Sequence, residues 1–292
     1  MAFSFPRTVA EKDGFITVKH SLEISAPRYV LIVPHDSSRL AFPDEVKRFF
    51  PQNSDLLHQV LEIKRDKGVR ELASYIIQTV PGGIAVMVEV ARGILDLNRR
   101  AEKSLGTVIS KEIPGNLKDA LYKIHDSIIH SIDQIIAIVP LDSRILCLHS
   151  MQTNPLDDAK AEFDDESMRS YVATREATIG VGPEMKVDII TGPKGEENFA
   201  DLEMKNVLAG FFDQSGIPWV ENYPYATERD IHKTTDYMIA RPRKVLAIDF
   251  PKQFLCKGEA KDKTLSMVKT SADPQKIQKI GNIFAEVLKR CS

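Results

Sequence analysis

Apolar residues along this chain fall into two recurring patterns. Short unbroken runs occur at Tyr29 to Val33 (YVLIV), Ile145 to Leu148 (ILCL), VDIITG and KVLAIDF, and these read as strands covered on both faces. Between them, apolar residues recur at helical spacing. Leu56, Leu57, Val60, Leu61 and Ile63 do so within a helical stretch from Ser54 to Thr79 that Gly68 breaks. Leu117, Leu121, Ile124, Ile128, Ile129, Ile132 and Ile136 share one face of a long helix, and ENFADLEMKNVLAGFFDQSG reads as another, ended by Gly216. GFITVKHSLEI holds two short strand-like pieces, GIAVMVEVARGILDLNR is a strand leading into a loop, and PWVENYPY is a strand and loop. Strands alternating with helices predict an α/β fold, three layers deep (α/β/α), around a mostly parallel mixed sheet. With no internal repeat or low-complexity linker, a single domain over residues 1–292 is expected. The polar, acidic stretch 154–176 reads as an irregular excursion or lid.

Composition narrows the function classes. The chain has 292 residues, 43% of them hydrophobic, and a net charge of -2 from 39 basic and 41 acidic side chains. That balance argues against a nucleic-acid binder and favours small-molecule or peptide chemistry. No signal-peptide pattern opens the sequence and no apolar run reaches membrane-span length, so no membrane is expected as a partner. Cys147, Cys256 and Cys291 are scattered without a CxxC pair, which implies neither a disulfide framework nor a cysteine-built zinc site. The cytoplasm is the expected compartment; the oligomeric state is left open.

Chemistry enters at the ends of the strand-like runs. Val33 leads through Pro34 into His35, Leu148 into His149, and Ile248 into Asp249. Ligands bind at the carboxyl ends of strands in open α/β sheets. Two histidines and a carboxylate, with a fourth position left for water, make up a catalytic zinc site. Taken singly, each of these residues is most simply a hydrogen-bonded strand end. RGILDLNRR, residues 92–100, is the second unusual stretch: Arg92, Arg99 and Arg100 are cationic, Asp96 can orient one of them, and Asn98 adds an amide beside Arg99. An arginine fork matches a carboxylate bidentately, so the stretch is either a clamp for an acidic substrate or a charged loop capping the next element. TGPKGEEN lacks P-loop spacing and reads as a turn. His125 and His130 lie five residues apart on the long helix and do not share a face cleanly.

In order, VPHDSS, RDKGVRELA, ARGILDLNR, LYKIHDSI, LCLHSMQ, ENYPYA and LAIDF resemble the N-formylglutamate amidohydrolase family, within the zinc-dependent exopeptidases of phosphorylase/hydrolase-like fold. The resemblance covers roughly residues 29–255, and DLNR and LHSMQ are its most specific parts. It implies one divalent metal ion, zinc being expected, held by His35, Asp66 and His149. It makes Asn98 and Arg99 the holders of a substrate carboxylate, with His125 and Tyr225 also at the substrate. Arg92 would polarise the scissile carbonyl and Asp249 would act as general base. The implied activity is hydrolysis of an amide in a small acyl-amino acid.

Several positions depart from the family pattern. Ser38 stands where related carboxypeptidases have the metal-binding glutamate three residues after the first histidine, so the acidic ligand comes from elsewhere, Asp66 or alternatively Asp36. Asp249 replaces a glutamate and is followed by Pro251 and Lys252 rather than Asn and Arg, and Ala226, Thr227 and Glu228 stand in place of paired glycines. These departures leave a second expectation: a noncatalytic descendant that binds an acidic ligand or a protein partner.

Overall fold

The computed structural model describes residues 8–21, 26–40, 42–151, 161–179, 185–192, 200–223, 244–259 and 264–291. Its strands are β1 (Ile16–His20), β2 (Tyr29–Val33), β3 (Gly83–Val88), β4 (Arg144–Met151), β5 (Val187–Ile190), β6 (Trp219–Glu221) and β7 (Lys244–Pro251). They form one sheet in the order β1-β3-β2-β4-β7-β5-β6. The inner strands β3, β2, β4 and β7 are parallel neighbours, whereas β1 runs antiparallel to β3, and β5 antiparallel to β7. The sheet is therefore mixed and mostly parallel, as expected. Every residue of β2, β3, β4 and β5 is buried, which requires cover on both faces.

The helices are α1 (Val9–Lys12), α2 (Asp44–Lys47), α3 (Ser54–Lys64), α4 (Val69–Thr79), α5 (Gly115–Ile138), α6 (Asp165–Ala177), α7 (Leu202–Gln214) and α8 (Pro274–Arg290). The stretch read as helical from Ser54 to Thr79 divides where Gly68 breaks it. Gly68 has a left-handed φ of 93°, and a Cβ there would lie 2.6 Å from that of Leu255, so the turn between α3 and α4 needs glycine on both counts. α4 packs on β3, β2 and β4 and against α8, and α8 packs in turn on α7.

Three expectations change. The acidic stretch at 154–176 is not irregular throughout: its described part contains α6, capped by Asp164 and burying Met168 and Tyr171 against the rest of the protein. One narrow apolar stripe on an otherwise charged helix gives a weak signal, which explains why it reads as loop; residues 154–160 lie outside the described set. The strand from Ile145 does not end on His149, because Ser150 and Met151 keep pairing with Phe250 and Pro251 of β7. α8 goes unread in the pattern above although it carries clear marks: Asp273 caps it through the N–H groups of Gln275 and Lys276, Pro274 opens it, and Ile277, Ile280, Phe284, Val287 and Leu288 are buried. Of the two pieces in GFITVKHSLEI, the first is β1; residues 22–25 lie outside the described set.

Candidate metal centre and its surroundings

Three segments that leave the inner strands and α3 meet at one place. His35 follows β2 by two residues, His149 sits on β4, and Asp66 lies in the turn between α3 and α4. The turn is fixed by Asp66 N–H donating to the His35 carbonyl at 3.0 Å and by Ser150 Oγ donating to the Lys67 carbonyl at 3.1 Å. His35, Asp66 and His149 each offer one donor atom within 4.8 Å of the others. All three are enclosed, at 0%, 1% and 5% exposure. His149 Nδ1 donates to Asp66 Oδ2 at 3.1 Å, and the two imidazole rings lie 5.4 Å apart between centroids.

His35 is the informative member. Its Nδ1 lies 3.6 Å from Asp66 Oδ2, too far for a hydrogen bond, and its Nε2 lies 3.0 Å from Asp96 Oδ1 but out of line for one, so among the described residues neither buried ring nitrogen has a hydrogen-bond partner. Buried polar atoms normally find partners. Two imidazoles and a carboxylate, with an orphaned imidazole among them, fit the donor set of a catalytic zinc ion. Asp36, the alternative acidic ligand, is occupied elsewhere: it accepts from Arg65 Nε at 2.5 Å and from the Arg70 N–H at 2.8 Å.

The electrostatics divide the carboxylates. Burial by itself would raise Asp66, but the Arg92 guanidinium, 3.1 Å away, and the two histidines outweigh it and hold the carboxyl well below its ordinary range. Asp96 behaves in the same way: Arg92 and His35 overcome its burial, and its pKa falls. Asp249 goes the other way. Burial, with the negative charges of Asp66 and Asp188, pushes it well above 3.8, and among the described residues its Oδ1 has no hydrogen-bond partner. Burial also lowers the pKa of His149 despite the pull of Asp66, favouring the neutral imidazole that binds metals.

Register places these groups. Asp249 of β7 is the Cα partner of His149 on β4 and of Asp188 on β5, so the three side chains lie on one face of the sheet across adjacent strands. The loop after β3 supplies the cations. It doubles back through Asp96 N–H to the Ser104 carbonyl and Gly106 N–H to the Ile94 carbonyl, with a bridge between Leu95 and Leu105. At its tightest point a Cβ on Gly106 would lie 1.7 Å from the Gly93 carbonyl oxygen. Arg92 reaches from this loop to Asp66 and, at 3.6 Å, to Asp96; Arg99 is 4.0 Å from Asp96 and 37% exposed.

No protein-family model matches the chain, and no curated protein matches its sequence. Solved structures share its architecture. An N-formylglutamate amidohydrolase from Ralstonia eutropha JMP134 superposes with a TM-score of 0.59 at 14% identity, over 94% of this chain and 97% of that one. The chain has the fold of an N-formylglutamate amidohydrolase. A gene product of Agrobacterium tumefaciens agrees equally well, with a TM-score of 0.59 at 14% identity over 98% of both chains. The resemblance carried by the motifs is thus matched by the amidohydrolase fold.

Within that fold the residues singled out in the sequence take the following places. His35, Asp66 and His149 converge, Arg92 touches Asp66, and Asp249 adjoins His149 in register. Asn98 N–H donates to Asp96 Oδ1 at 3.0 Å, which sets it beside Arg99 on the same turn. His125, on α5, is buried with Nε2 donating to the Arg99 carbonyl at 2.9 Å and Nδ1 3.1 Å from Asp126 Oδ1. Tyr225 lies outside the described residues. Two acidic groups take places that the sequence pattern does not give them. Asp96 stands against His35 as well as against the arginines, a contact across sixty residues of chain that spacing does not reveal. Asp188 is a fully buried carboxylate in the otherwise apolar strand β5, and that isolation in VDIITG is the signal that marks it.

Proposed function

We propose that the chain is a metal-dependent amidohydrolase that cleaves the amide bond of a small N-acyl amino acid, N-formyl amino acids among them, or of a related carboxylate-bearing substrate. The observation that carries this reading is the enclosed trio of His35, Asp66 and His149 with both His35 ring nitrogens lacking hydrogen-bond partners among the described residues. These three residues would hold a divalent ion, zinc by the chemistry of the donor set. Such an ion supplies Lewis acidity, which brings the ionisation of water near neutral pH and polarises an amide carbonyl.

The remaining steps belong to the chain's own side chains. Asn98 and Arg99 orient the substrate carboxylate, the planar guanidinium matching its two oxygens. His125 acts behind them by holding the Arg99 main chain. Arg92, already drawn toward Asp66, places positive charge beside the trio and steadies negative charge developing on the carbonyl oxygen. Asp249 takes a proton from the attacking water and returns it to the leaving amine nitrogen; its raised pKa brings it closer to the range where a carboxyl can do both. Tyr225 is assigned to the substrate pocket on its motif alone.

The test is metal content and turnover of N-acyl amino acids by the wild type and by His149→Ala. Stoichiometric zinc with hydrolysis is expected in the wild type, and loss in the variant beyond the roughly 10- to 100-fold typical of removing an outer-shell partner. Absence of bound metal after zinc loading would sink the reading. Zinc binding with acidic-ligand binding but no hydrolysis would select the noncatalytic alternative.

A further inference from the structure

Lys252 departs from the motif around it, and its setting is unusual. It opens the 3-10 turn (Lys252–Phe254) that follows β7, and its side chain is 0% exposed. Its ammonium donates to the Ile63 carbonyl at 2.7 Å and, among the described residues, makes no other hydrogen bond and no ion pair. Enclosing an ammonium with so few partners is unfavourable, and burial pushes its pKa down to about 8 despite the attraction of Asp66.

The place of that one bond in the chain accounts for the lysine. Ile63 lies in the last turn of α3, where carbonyls have no partner within the helix. The backbone leaves the helix extended at Arg65, and the Lys67 N–H turns to the Arg65 carbonyl, so Ile63 must find its donor elsewhere. Asp66 follows Ile63 by three residues, and Lys252 follows Asp249 by three. A single hydrogen bond therefore joins the strand that carries Asp249 to the helix end that delivers Asp66. The far side of the same turn is held to β4 by Ser150 Oγ, and to the segment after the 3-10 turn by Cys256 Sγ, 3.5 Å from the Lys67 carbonyl.

We propose that Lys252 is a positioning residue: by clasping the Ile63 carbonyl, its enclosed ammonium sets the Asp66 carboxylate among the metal-binding histidines and at a fixed separation from Asp249. The inference rests on the metal-site reading given above. Metal ligands depend on the groups that orient them.

The experiment titrates metal-free protein with zinc against a chromophoric chelator, with far-UV circular dichroism to verify folding. It compares the wild type with Lys252→Met, which loses donor and charge, Lys252→Gln, a shorter uncharged donor, and Lys276→Met. Lys276 is the control, because its ammonium holds the carbonyls of Gln253, Cys256 and Gly258, each at 3.0 Å, and bonds to no atom of the Asp66 turn itself, which it reaches only through Cys256. The expected result is a loss of zinc affinity of about 10- to 100-fold in folded Lys252→Met. Lys252→Gln loses less, and Lys276→Met has a lower melting temperature at unchanged affinity. Wild-type affinity in either folded Lys252 variant, or an equal loss in Lys276→Met, overturns the proposal. If only one Lys252 variant folds, it alone is read; if neither folds, the lysine is a folding element and the positioning role is rejected. A wild type that binds no zinc overturns the metal reading itself, and that result is recognised before any variant is made.

Discussion

Lys252 also titrates in a way that can be observed. Its pKa of about 8 in the fold compares with 10.5 for a free lysine side chain, so between those values the unfolded chain holds a proton that the folded one has released. Stability rises with pH wherever the unfolded state binds more protons. Urea unfolding of the wild type and of Lys252→Met, measured across pH 7 to 10.5, should therefore show the wild type gaining on the variant above about pH 8. The gain should reach roughly 3 kcal/mol at the upper end. A flat difference would mean that the ammonium is not enclosed in solution. At this scale the sequence was informative where a polar residue interrupts or closes an apolar run: His35, His149, Asp249 and, unread, Asp188. It was uninformative about Asp96 against His35 and Lys252 against Ile63, because those contacts depend on where two distant segments cross, not on any local pattern.

At the scale of elements, the buried strands and the longer helices follow from periodicity, since burial on both faces or along one stripe leaves its mark in composition. Direction leaves none: nothing in VDIITG shows that β5 runs against β7, yet that orientation sets Asp188 opposite Asp249. The loop after β3 is determined by backbone geometry as much as by side chains. Gly106→Ala must push its Cβ against the Gly93 carbonyl, and a loss of about 3 kcal/mol is expected from denaturant melts, with Arg92 and Arg99 displaced and turnover reduced. Gly210→Ala makes the contrast. It lies inside α7 with nothing within 4 Å of the added carbon, so it should stabilise by about 0.5 to 1 kcal/mol. Equal effects from the two substitutions would contradict the close approach at Gly106.

For the whole molecule, the core of strands and helices is complete without the ion, while the trio sits where β2, β4 and the α3–α4 turn meet. Among the described residues no helix is long and apolar enough to cross a membrane. An ion that binds only the folded state stabilises it by mass action, about 2.7 kcal/mol at a hundredfold excess over its dissociation constant. Calorimetry should then show the chelator-treated protein folded and cooperative, with a melting temperature that zinc raises by about 5 °C. His149→Ala should remove that increment. A zinc effect of the same size in the variant would place the ion elsewhere. The overall architecture was legible because alternating strands and helices admit few arrangements, whereas α6 was obscured by its charged surface. The folded-back loop has a further consequence. It is fastened by main-chain bonds, from the Gly106 N–H to the Ile94 carbonyl and from the Asp96 N–H to the Ser104 carbonyl, with the bridge between Leu95 and Leu105. The half-exposed Arg99 therefore stands on a mount that the backbone holds: if Arg99 reads the substrate carboxylate as proposed, exchanging it for another reading group changes which small molecule is accepted while the mount stays in place.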